Sequence, residues 1–367
     1  MKSKVVLVIG ARPNYIKAAP IVWSLARYKK SIEVVLIDTR QHYDPKMSKH
    51  FALDLNLPEP DFSLETTMLA ASDRMNSIEK RLVAFFSELS PQFVTVFGDV
   101  DSTAAAALAA AQCGIGVGHV EAGLRSFDND MPEETNRIAT DRVSTLLFAS
   151  EPAGVVNLER ENFDPDSIFL SGNVMIDTLK ANHSKIVTNN FYSTLNIRKK
   201  KYGLVTLHRG FNVDDPKHLQ FAIQVLREAT LIGDVVFPIH PRTAKNLKHF
   251  ELEQEFASLG NLHVTPPLRY MEFLNLMAHA AYVLTDSGGV QEETTWLGVP
   301  CLTLRKSTER PITIELGTNK LLEPNLQSIR SSIDRAFYWD VDDYQPPALW
   351  DGNAGHRIVN QIYSHLC

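Results

Sequence analysis

The chain has 367 residues, which is too long for one ordinary domain and indicates two. Its hydrophobic content of 44% and charged content of 22% are typical of a soluble globular protein. The net charge of −6 argues against nucleic-acid binding, because nucleic-acid-binding proteins usually carry a basic surplus.

Targeting and redox signals are sparse. No apolar run reaches the roughly 18 residues needed to cross a membrane, and "MKSK" leads directly into a strand pattern instead of a signal peptide. The cysteines are widely spaced, suit a reducing compartment and offer no metal-ligand spacing. We therefore expect a cytoplasmic protein with no metal and with no nucleic-acid or membrane partner.

Short β-branched runs alternate with longer helical patterns along the chain. The first half has strands KVVLVIG, EVVLIDT, FVTVFGD and GVGHVEA, with helices IKAAPIVWSLARYKK, DRMNSIEKRLVAFFSEL and STAAAALAAAQC between them. The second half has strands YGLVTLH, DVVFPIH, LHVTPPL, AYVLTDS and PCLTLR, again separated by helical patterns. This alternation predicts the α/β class, with parallel sheets covered on both faces.

A polar stretch without a sustained period, residues 181–200, is the predicted linker. The predicted domains are residues 1–180 and 201–354, and the last helix, residues 355–367, is expected to pack back on the first domain. Two doubly wound domains in tandem are expected to face a central cleft. Ligands of open α/β sheets bind at the carboxyl ends of the strands.

Nearly every predicted strand ends in residues that can carry chemistry. One polar strand end is an ordinary cap, but so many of them indicate a binding site. In the first half these residues are Arg12, Lys17, Gln41, His42, Asp99, His119, Glu121 and Arg125. In the second half they are His208, Arg209, His240, Arg242, Asp286, Ser287, Arg305, Glu309 and Arg310.

The segment "TDSGGVQEE" predicts a strand, a Ser-Gly-Gly turn and the start of a helix. Glycines let backbone N–H groups approach a ligand, and a helix start carries about half a positive charge. We expect Ser287, Gly288 and Gly289 to bind phosphate, and Glu293 to accept hydrogen bonds from ribose hydroxyls. The alternative is an ordinary turn with Ser287 as the N-cap. The segment matches neither a Walker A loop nor G-x-G-x-x-G.

Charged side chains from both halves suit a diphosphate and proton transfer. The cations could neutralise a diphosphate without a metal; they are Arg12, Lys17, His208, Arg209, Arg305 and Arg310. The carboxylates Asp99, Glu121 and Glu133 suit acid–base chemistry. Taken singly, each of these residues is as well explained as a cap or a surface group.

These segments, in this order, resemble the UDP-N-acetylglucosamine 2-epimerases, chiefly the non-hydrolysing bacterial type. The resemblance spreads from residue 10 to residue 320. The matching pieces are GARPNYIKAAP, RQHYD, VFGDVDST, HVEAGLRS, MPEETNR, GNVMIDTL, TLHR, HPR, DSGGVQEE, LGVP and TERP.

The resemblance implies two Rossmann-like domains in a GT-B-like arrangement and a homodimer formed through the first domain. It also implies elimination of UDP after loss of the C2 proton, then re-addition, which interconverts UDP-N-acetylglucosamine and UDP-N-acetylmannosamine for cell-surface polysaccharide precursors. Elimination requires no NAD or other cofactor.

The same resemblance implies roles for individual residues. The implied catalytic residues are Asp99, Glu121, Glu133 and His208, the last of these at the diphosphate. The implied substrate-binding residues are Arg12, Lys17, Gln41, His42, Arg137, Arg209, His240, Ser287, Gly288, Gly289, Glu293 and Arg310.

Four departures from the commonest family pattern leave the exact sugar and allosteric control open. Asn14 stands where Glu is usual, Phe211 replaces a frequent Glu, Arg40 replaces Gly in "GQH", and the segment after "TERP" differs. The alternatives are a hydrolysing 2-epimerase, an epimerase of a modified sugar such as a 2,3-diacetamido uronic acid, a GT-B glycosyltransferase, and a UDP-sugar-binding protein without catalysis.

Overall fold

The computed structural model describes residues 2–41, 51–64, 66, 71–128, 131–339 and 344–367. The chain divides into two compact units. The first unit is Met1–Ala181 with Ala348–Cys367, and the second is Asn182–Pro347. No helix among the described residues is both long enough and apolar enough to cross a membrane.

The first unit is built on a parallel sheet of seven described strands in the order β3-β2-β1-β4-β5-β6-β7. These are β1 (Ser3–Ile9), β2 (Ile32–Asp38), β3 (Phe62–Ser63), β4 (Phe93–Phe97), β5 (Gly116–Val120), β6 (Leu146–Ala149) and β7 (Ile168–Leu170). The described helices are α1 (Arg12–Leu25), α2 (Ala71–Leu89), α3 (Asp101–Gln112), α4 (Pro132–Val143), α5 (Pro152–Arg160) and α6 (Val174–Thr188). Short 3₁₀ turns cover Ala26–Tyr28 and Pro165–Ser167.

One face of this sheet is covered by α2 and α3. The apolar residues Ile78, Leu82 and Phe86 lie four positions apart on α2, so they share one face of the helix, and all three are buried. The alanine run of α3 is also buried. Alanine side chains are small, so α3 can lie close to the central strands β1 and β4.

The second unit has a parallel sheet of six described strands in the order β10-β9-β8-β11-β12-β13. They are β8 (Tyr202–Thr206), β9 (Asp234–Pro238), β10 (Leu262–Thr265), β11 (Tyr282–Thr285), β12 (Cys301–Thr303) and β13 (Asn319–Leu321). The described helices are α7 (Phe191–Thr194), α8 (Gly210–Val213), α9 (Pro216–Thr230), α10 (Pro241–His249), α11 (Glu253–Ala257), α12 (Tyr270–His279), α13 (Gly288–Leu297), α14 (Ile312–Glu315) and α15 (Leu326–Phe337).

In both sheets the order of the strands reverses at the centre. In the first sheet the order runs outward from β1 on one side and from β4 on the other, and in the second sheet it does so from β8 and β11. The connections that follow the two central strands run in opposite directions. This opens a crevice beyond the carboxyl ends of the strands, where ligands bind. The predicted α/β class with doubly wound parallel sheets is confirmed.

The C-terminal helix α16 (Ala354–Leu366) belongs to the first unit and packs on α1. The carboxylate of Asp177 accepts hydrogen bonds from the N–H groups of Ala354 and Gly355, at 3.2 and 2.7 Å, and so caps the start of this helix. The Tyr28 hydroxyl donates to Asn360 Oδ1 at 2.7 Å. The motif GNVMIDTL, which contains Asp177, therefore has a structural role in the first unit.

The stretch that the sequence suggested as a linker is largely helical. Helix α6 continues to Thr188, and α7 follows at Phe191–Thr194. Asn275 donates to the carbonyl oxygens of Ile186 and Asn189, at 2.8 and 2.6 Å, so these residues are fixed to the second unit. The polar composition of this stretch concealed the helices, because most side chains of residues 181–188 are exposed.

We predict that Ile358→Ala lowers the free energy of unfolding of the first unit by about 2–5 kcal/mol, because Ile358 is fully buried in α16. The matched control is Gln361→Ala in the same helix, where the side chain is exposed and the change stays within about 0.5 kcal/mol. Urea unfolding of the full chain measures both values. Equal effects would show that α16 is not part of the core of the first unit.

Candidate active site

A buried ion pair lies at the carboxyl edge of the first sheet. Lys17, from α1, contacts the carboxylate of Glu121, which follows β5, and each side chain is only 6% exposed. Gly98, after β4, lies against this pair, since a Cβ there would sit 2.6 Å from Lys17 Nζ and 3.0 Å from Glu121 Oε2. Three strand connections therefore converge on one charged pair.

Glu121 has an uncommon backbone conformation. Its φ angle is 80°, which is in the left-handed region that residues with a Cβ rarely adopt. Its N–H donates to Phe148 O at 2.9 Å, which holds the strained turn against β6. Strain of this kind persists when the surrounding structure over-determines it, and it is concentrated at functional sites.

A second carboxylate, Asp99, lies in the turn between β4 and α3. Its Oδ2 is 2.6 Å from Arg137 Nη2, and the side chain remains 23% exposed. Arg137 Nη1 is 2.7 Å from Glu134 Oε2, and Glu134 also accepts the Ser126 and Phe127 N–H groups at 3.0 Å. Arg137 thus orients Asp99, while Glu134 anchors the loop before α4.

Other predicted residues of the first unit have structural contacts. Gln41 Oε1 accepts from the Ser102 N–H and hydroxyl, at 2.8 and 2.7 Å, so it binds the first turn of α3. The guanidinium of Arg12 stacks over the ring of Phe51 at 4.8 Å. Glu133 is half-buried in the first turn of α4. His42 lies outside the described residues.

Asn14, one of the departures from the family pattern, connects two strand ends. Its side-chain oxygen accepts the N–H groups of Gly10 and Ala11, at 3.2 and 3.0 Å, and its amide donates to Phe97 O at 2.8 Å. A glutamate could not donate to Phe97 O when ionised. Asn14 therefore stabilises the junction of β1 and β4 in this chain.

In the second unit, Asp286 orients the turn that carries His208. Asp286 Oδ2 accepts the N–H groups of His208 and Arg209 at 2.9 Å, and its Oδ1 is 3.1 Å from His208 Nδ1. Burial raises the pKa of this carboxyl, but the His208 ring and these hydrogen bonds outweigh it and hold the pKa below its usual range. The carboxylate stays ionised and the opposite ring nitrogen of His208, Nε2, points away from it.

His240 lies beside His208, with ring centroids 5.4 Å apart. Its Nδ1 accepts the Arg242 N–H at 3.2 Å, so His240 caps the start of α10 and that nitrogen carries no proton. The predicted binding residues His208, Arg209 and His240 thus lie together after β8 and β9.

The Ser-Gly-Gly turn begins α13. Ser287 occupies the N-cap position. Among the described residues of the first turn, none donates a capping hydrogen bond to the Ser287 side chain. A Cβ on Gly288 would lie 2.5 Å from Arg310 Nη1 and 2.7 Å from Glu309 Oε1. Glycine leaves room here for a buried guanidinium that approaches the helix start.

Alternating charges surround this guanidinium. Arg310 pairs with Glu309 and, at 2.9 Å from Nε, with Glu292 Oε1. Glu309 Oε2 is in turn 2.9 Å from Arg305 Nη2. The two carboxylates offset the cost of burying two cations and fix Arg310 beside the backbone N–H groups of α13.

Glu293, one turn into α13, is buried and accepts a hydrogen bond from the Tyr270 hydroxyl at 2.8 Å. The predicted residues Ser287, Gly288, Gly289, Glu293 and Arg310 are therefore brought together at the start of one helix. No group of three or more His, Cys, Asp or Glu side chains is arranged to hold a metal ion within the described part of the chain.

Among the carboxylates that contact candidate site residues, three buried ones were missing from the sequence-based predictions: Glu134, Asp141 and Glu292. Two of them had a local signal. Glu134 stands three residues before Arg137 on a helix, which is ion-pair spacing, and Glu292 adjoins the predicted Glu293. Asp141 had none, because its partners are distant along the chain.

The family model for UDP-N-acetylglucosamine 2-epimerase matches residues 25–363. The chain belongs to this family, and it is an epimerase that acts on a UDP-sugar. It is 38% identical over 363 residues to the UDP-N-acetylglucosamine 2-epimerase of Methanocaldococcus jannaschii, covering 97% of this chain and 98% of that one. A solved complex of that enzyme with UDP-GlcNAc and UDP superimposes with a TM-score of 0.91 at 36% identity, covering 98% and 99% of the two chains.

The chain is also similar to one further relative and to one solved structure of low sequence identity. The UDP-2,3-diacetamido-2,3-dideoxy-D-glucuronate 2-epimerase of Pseudomonas aeruginosa is 33% identical and covers 98% of this chain and 99% of its own. MurG of Acinetobacter baumannii is 15% identical with a TM-score of 0.50, and the match covers 99% and 100% of the two chains. MurG shows the fold alone, which agrees with the predicted GT-B-like class.

We predict that Gly288→Ala lowers the stability of the second unit by about 1–3 kcal/mol, because the added methyl group displaces Arg310 from its buried carboxylates. Gly260→Ala is the matched control, since a Cβ there meets nothing within 4 Å and the change stays within about 0.5 kcal/mol. Urea unfolding measures both. An unchanged Gly288→Ala protein would show that Arg310 is not held where we describe it.

Proposed function

We propose that the chain interconverts UDP-N-acetylglucosamine and UDP-N-acetylmannosamine by anti elimination of UDP and re-addition. The observation that carries this proposal is the Lys17–Glu121 pair with Asp99 nearby, at the switch point of a doubly wound sheet. A glycosyltransferase has no shared purpose for these carboxylates. A relative solved with UDP-GlcNAc and UDP supports the choice of substrate.

The proton steps fall to the first unit. The C2 proton of the sugar is weakly acidic, so its removal needs a base that is fixed in place and shielded from water. We assign this role to Glu121, which is buried and held by Lys17. Asp99, more exposed and oriented by Arg137, handles the proton on the other face, with Glu133 as a third candidate for proton transfer.

The bonds change as follows in this scheme. Glu121 takes the C2 proton, the C–H electron pair forms the C1–C2 double bond, and the C1–O bond breaks to release UDP as an anion. The resulting 2-acetamidoglucal accepts a proton at C2 on the opposite face while UDP adds back to C1. The chemistry is redox-neutral, so no electron acceptor is required.

The second unit stabilises the leaving UDP. His208 and Arg209, fixed by Asp286, provide donors and positive charge for the diphosphate, and the start of α13 adds backbone N–H groups. Arg310 contributes a further cation at the same helix start. We assign Glu293 to the ribose hydroxyls, where Tyr270 already holds its carboxylate in position.

The remaining binding assignments keep their predicted roles. Arg12, Gln41, His42 and His240 complete the substrate-binding set. Lys17 contributes to the substrate site by holding the carboxylate of Glu121 in place. Family resemblance supports a homodimer formed through the first domain, a cytoplasmic location, and a role in supplying cell-surface polysaccharide precursors; sedimentation velocity tests the dimer.

Product analysis separates this proposal from its alternatives. Incubation with UDP-N-acetylglucosamine and chromatography of the products should give UDP-N-acetylmannosamine with no loss of UDP-sugar. Free N-acetylmannosamine with stoichiometric UDP would establish the hydrolysing reaction instead. An unchanged substrate, together with turnover of a UDP-2,3-diacetamido uronic acid, would assign the chain to the modified sugars.

We predict that Glu121→Gln and Asp99→Asn each lower kcat by about 10²–10⁴-fold, because each removes one proton-transfer group. UDP affinity, measured by calorimetry, should stay within about twofold, since neither residue is assigned to the nucleotide. Glu159→Gln, at an exposed position of α5, is the control and should leave kcat unchanged. Near-normal turnover in both variants would remove these carboxylates from the mechanism.

A further inference from the structure

A fully buried histidine lies two residues before Glu121. His119, on β5, has no exposed surface, so it cannot touch a substrate. Its Nδ1 is 2.6 Å from Asp141 Oδ1, and its Nε2 is 2.8 Å from the carbonyl oxygen of Gly98. Both ring nitrogens face oxygen acceptors, so the geometry is that of a ring that donates in both directions.

Asp141, on α4, extends the contact to a second turn. Its Oδ2 accepts the Gly123 N–H at 3.2 Å and lies 2.7 Å from Arg125 Nη2. Burial raises the pKa of Asp141, but the interactions of this carboxylate with His119 and Arg125 outweigh it and hold the pKa below its usual range. The carboxylate is therefore an ionised acceptor for three partners.

The two glycines belong to the turns that carry the proposed proton-transfer residues. Gly98 directly precedes Asp99, and Gly123 follows Glu121 by two positions. The φ angles of Gly98, Glu121 and Gly123 are 66°, 80° and 77°, all in the left-handed region. Turns in this region need restraints from outside themselves to stay in one conformation.

We propose that His119 and Asp141 form a positioning pair that fixes the Asp99 turn relative to the Glu121 turn. This inference rests on the proposed function, because it concerns the spacing of the two carboxylates that exchange protons with the sugar. The pair acts only through Gly98 and Gly123 and touches no reacting atom. Misplacement of a catalytic group by about 1 Å costs on the order of 100-fold in rate, so such a restraint has a measurable consequence.

The two ring contacts can be broken one at a time. The amide nitrogen of Asn reaches the place of His Nδ1, and that of Gln reaches the place of Nε2. His119→Gln therefore keeps the hydrogen bond to Gly98 O and releases Asp141, which Arg125 and Gly123 still hold. His119→Asn keeps Asp141 and releases Gly98. Both variants lose the same buried ring, so they form a matched pair.

We expect His119→Asn to lower kcat for UDP-N-acetylglucosamine by about 100-fold, with KM and UDP affinity within about twofold of the wild-type values. His119→Gln should retain kcat within about threefold, because it still restrains the turn that carries Asp99. A control for loss of a buried histidine is His279→Asn in the second unit, which should lose thermal stability and keep kcat. Assays run well below the melting temperature of each variant.

Equal kcat values in the two His119 variants would overturn the proposal. So would kcat losses that parallel the losses of melting temperature across His119→Asn, His119→Gln and His279→Asn. If His119→Asn does not fold, Asp141→Ala replaces it. This variant removes the acceptor of the Gly123 N–H, which His119→Gln leaves in place, and so releases the turn that carries Glu121, while Arg125 keeps its ion pair with Glu161. We expect at least about a tenfold loss of kcat with unchanged UDP affinity, and an unaltered kcat would equally refute the pair.

Hydrogen–deuterium exchange separates this inference from the proposed function. Amides of residues 98–103 should exchange faster in His119→Asn and at the wild-type rate in His119→Gln, whatever reaction the protein catalyses. If the wild-type protein is inactive on UDP-N-acetylglucosamine, the proposed function is contradicted. The exchange rates of residues 98–103 then decide alone whether His119 restrains the turn that carries Asp99. Identical exchange in both variants would contradict the restraint alone.

Discussion

A lysine and a glutamate side chain buried together impose the main constraint on the first unit. Removing either partner would leave an uncompensated buried charge, which typically costs about 3–5 kcal/mol. The surrounding structure accordingly fits this pair closely, with Gly98 lacking the Cβ that would collide with it and Glu121 in a left-handed conformation. The ion pair holds a carboxylate in a place that water hardly reaches, and a base for a weak carbon acid needs that environment.

The second unit handles charge differently. Its proposed anion-binding side chains are fixed by buried carboxylates. Asp286 holds the turn of His208, and Glu292 and Glu309 surround Arg310. These carboxylates align the donors before any ligand arrives, so little reorganisation remains when an anionic leaving group forms. The proposed mechanism accordingly assigns proton transfer to the first unit and stabilisation of the anion to the second.

Local sequence patterns predicted the α/β class and most of the strands, and they placed the proposed site residues at strand ends. Strand ends located Asp99, Glu121 and His208, because parallel strands place their carboxyl ends at one edge. The strands β3, β6, β7 and β13 were not predicted, since two to four residues are too few to show a period. The pairing of Lys17 with Glu121 joins residues 104 positions apart, and that of His119 with Asp141 depends on how α4 lies against β5. No local pattern contains such tertiary contacts.

The most direct test of this account is proton NMR of the purified protein with UDP-N-acetylglucosamine in D₂O. A buried base that exchanges the C2 proton predicts UDP-N-acetylmannosamine with deuterium at C2, and deuterium in the recovered substrate as the reaction approaches equilibrium. Epimerised product that retains the original proton at C2 would contradict the account, because inversion would then proceed without proton transfer to solvent-exchangeable carboxylates.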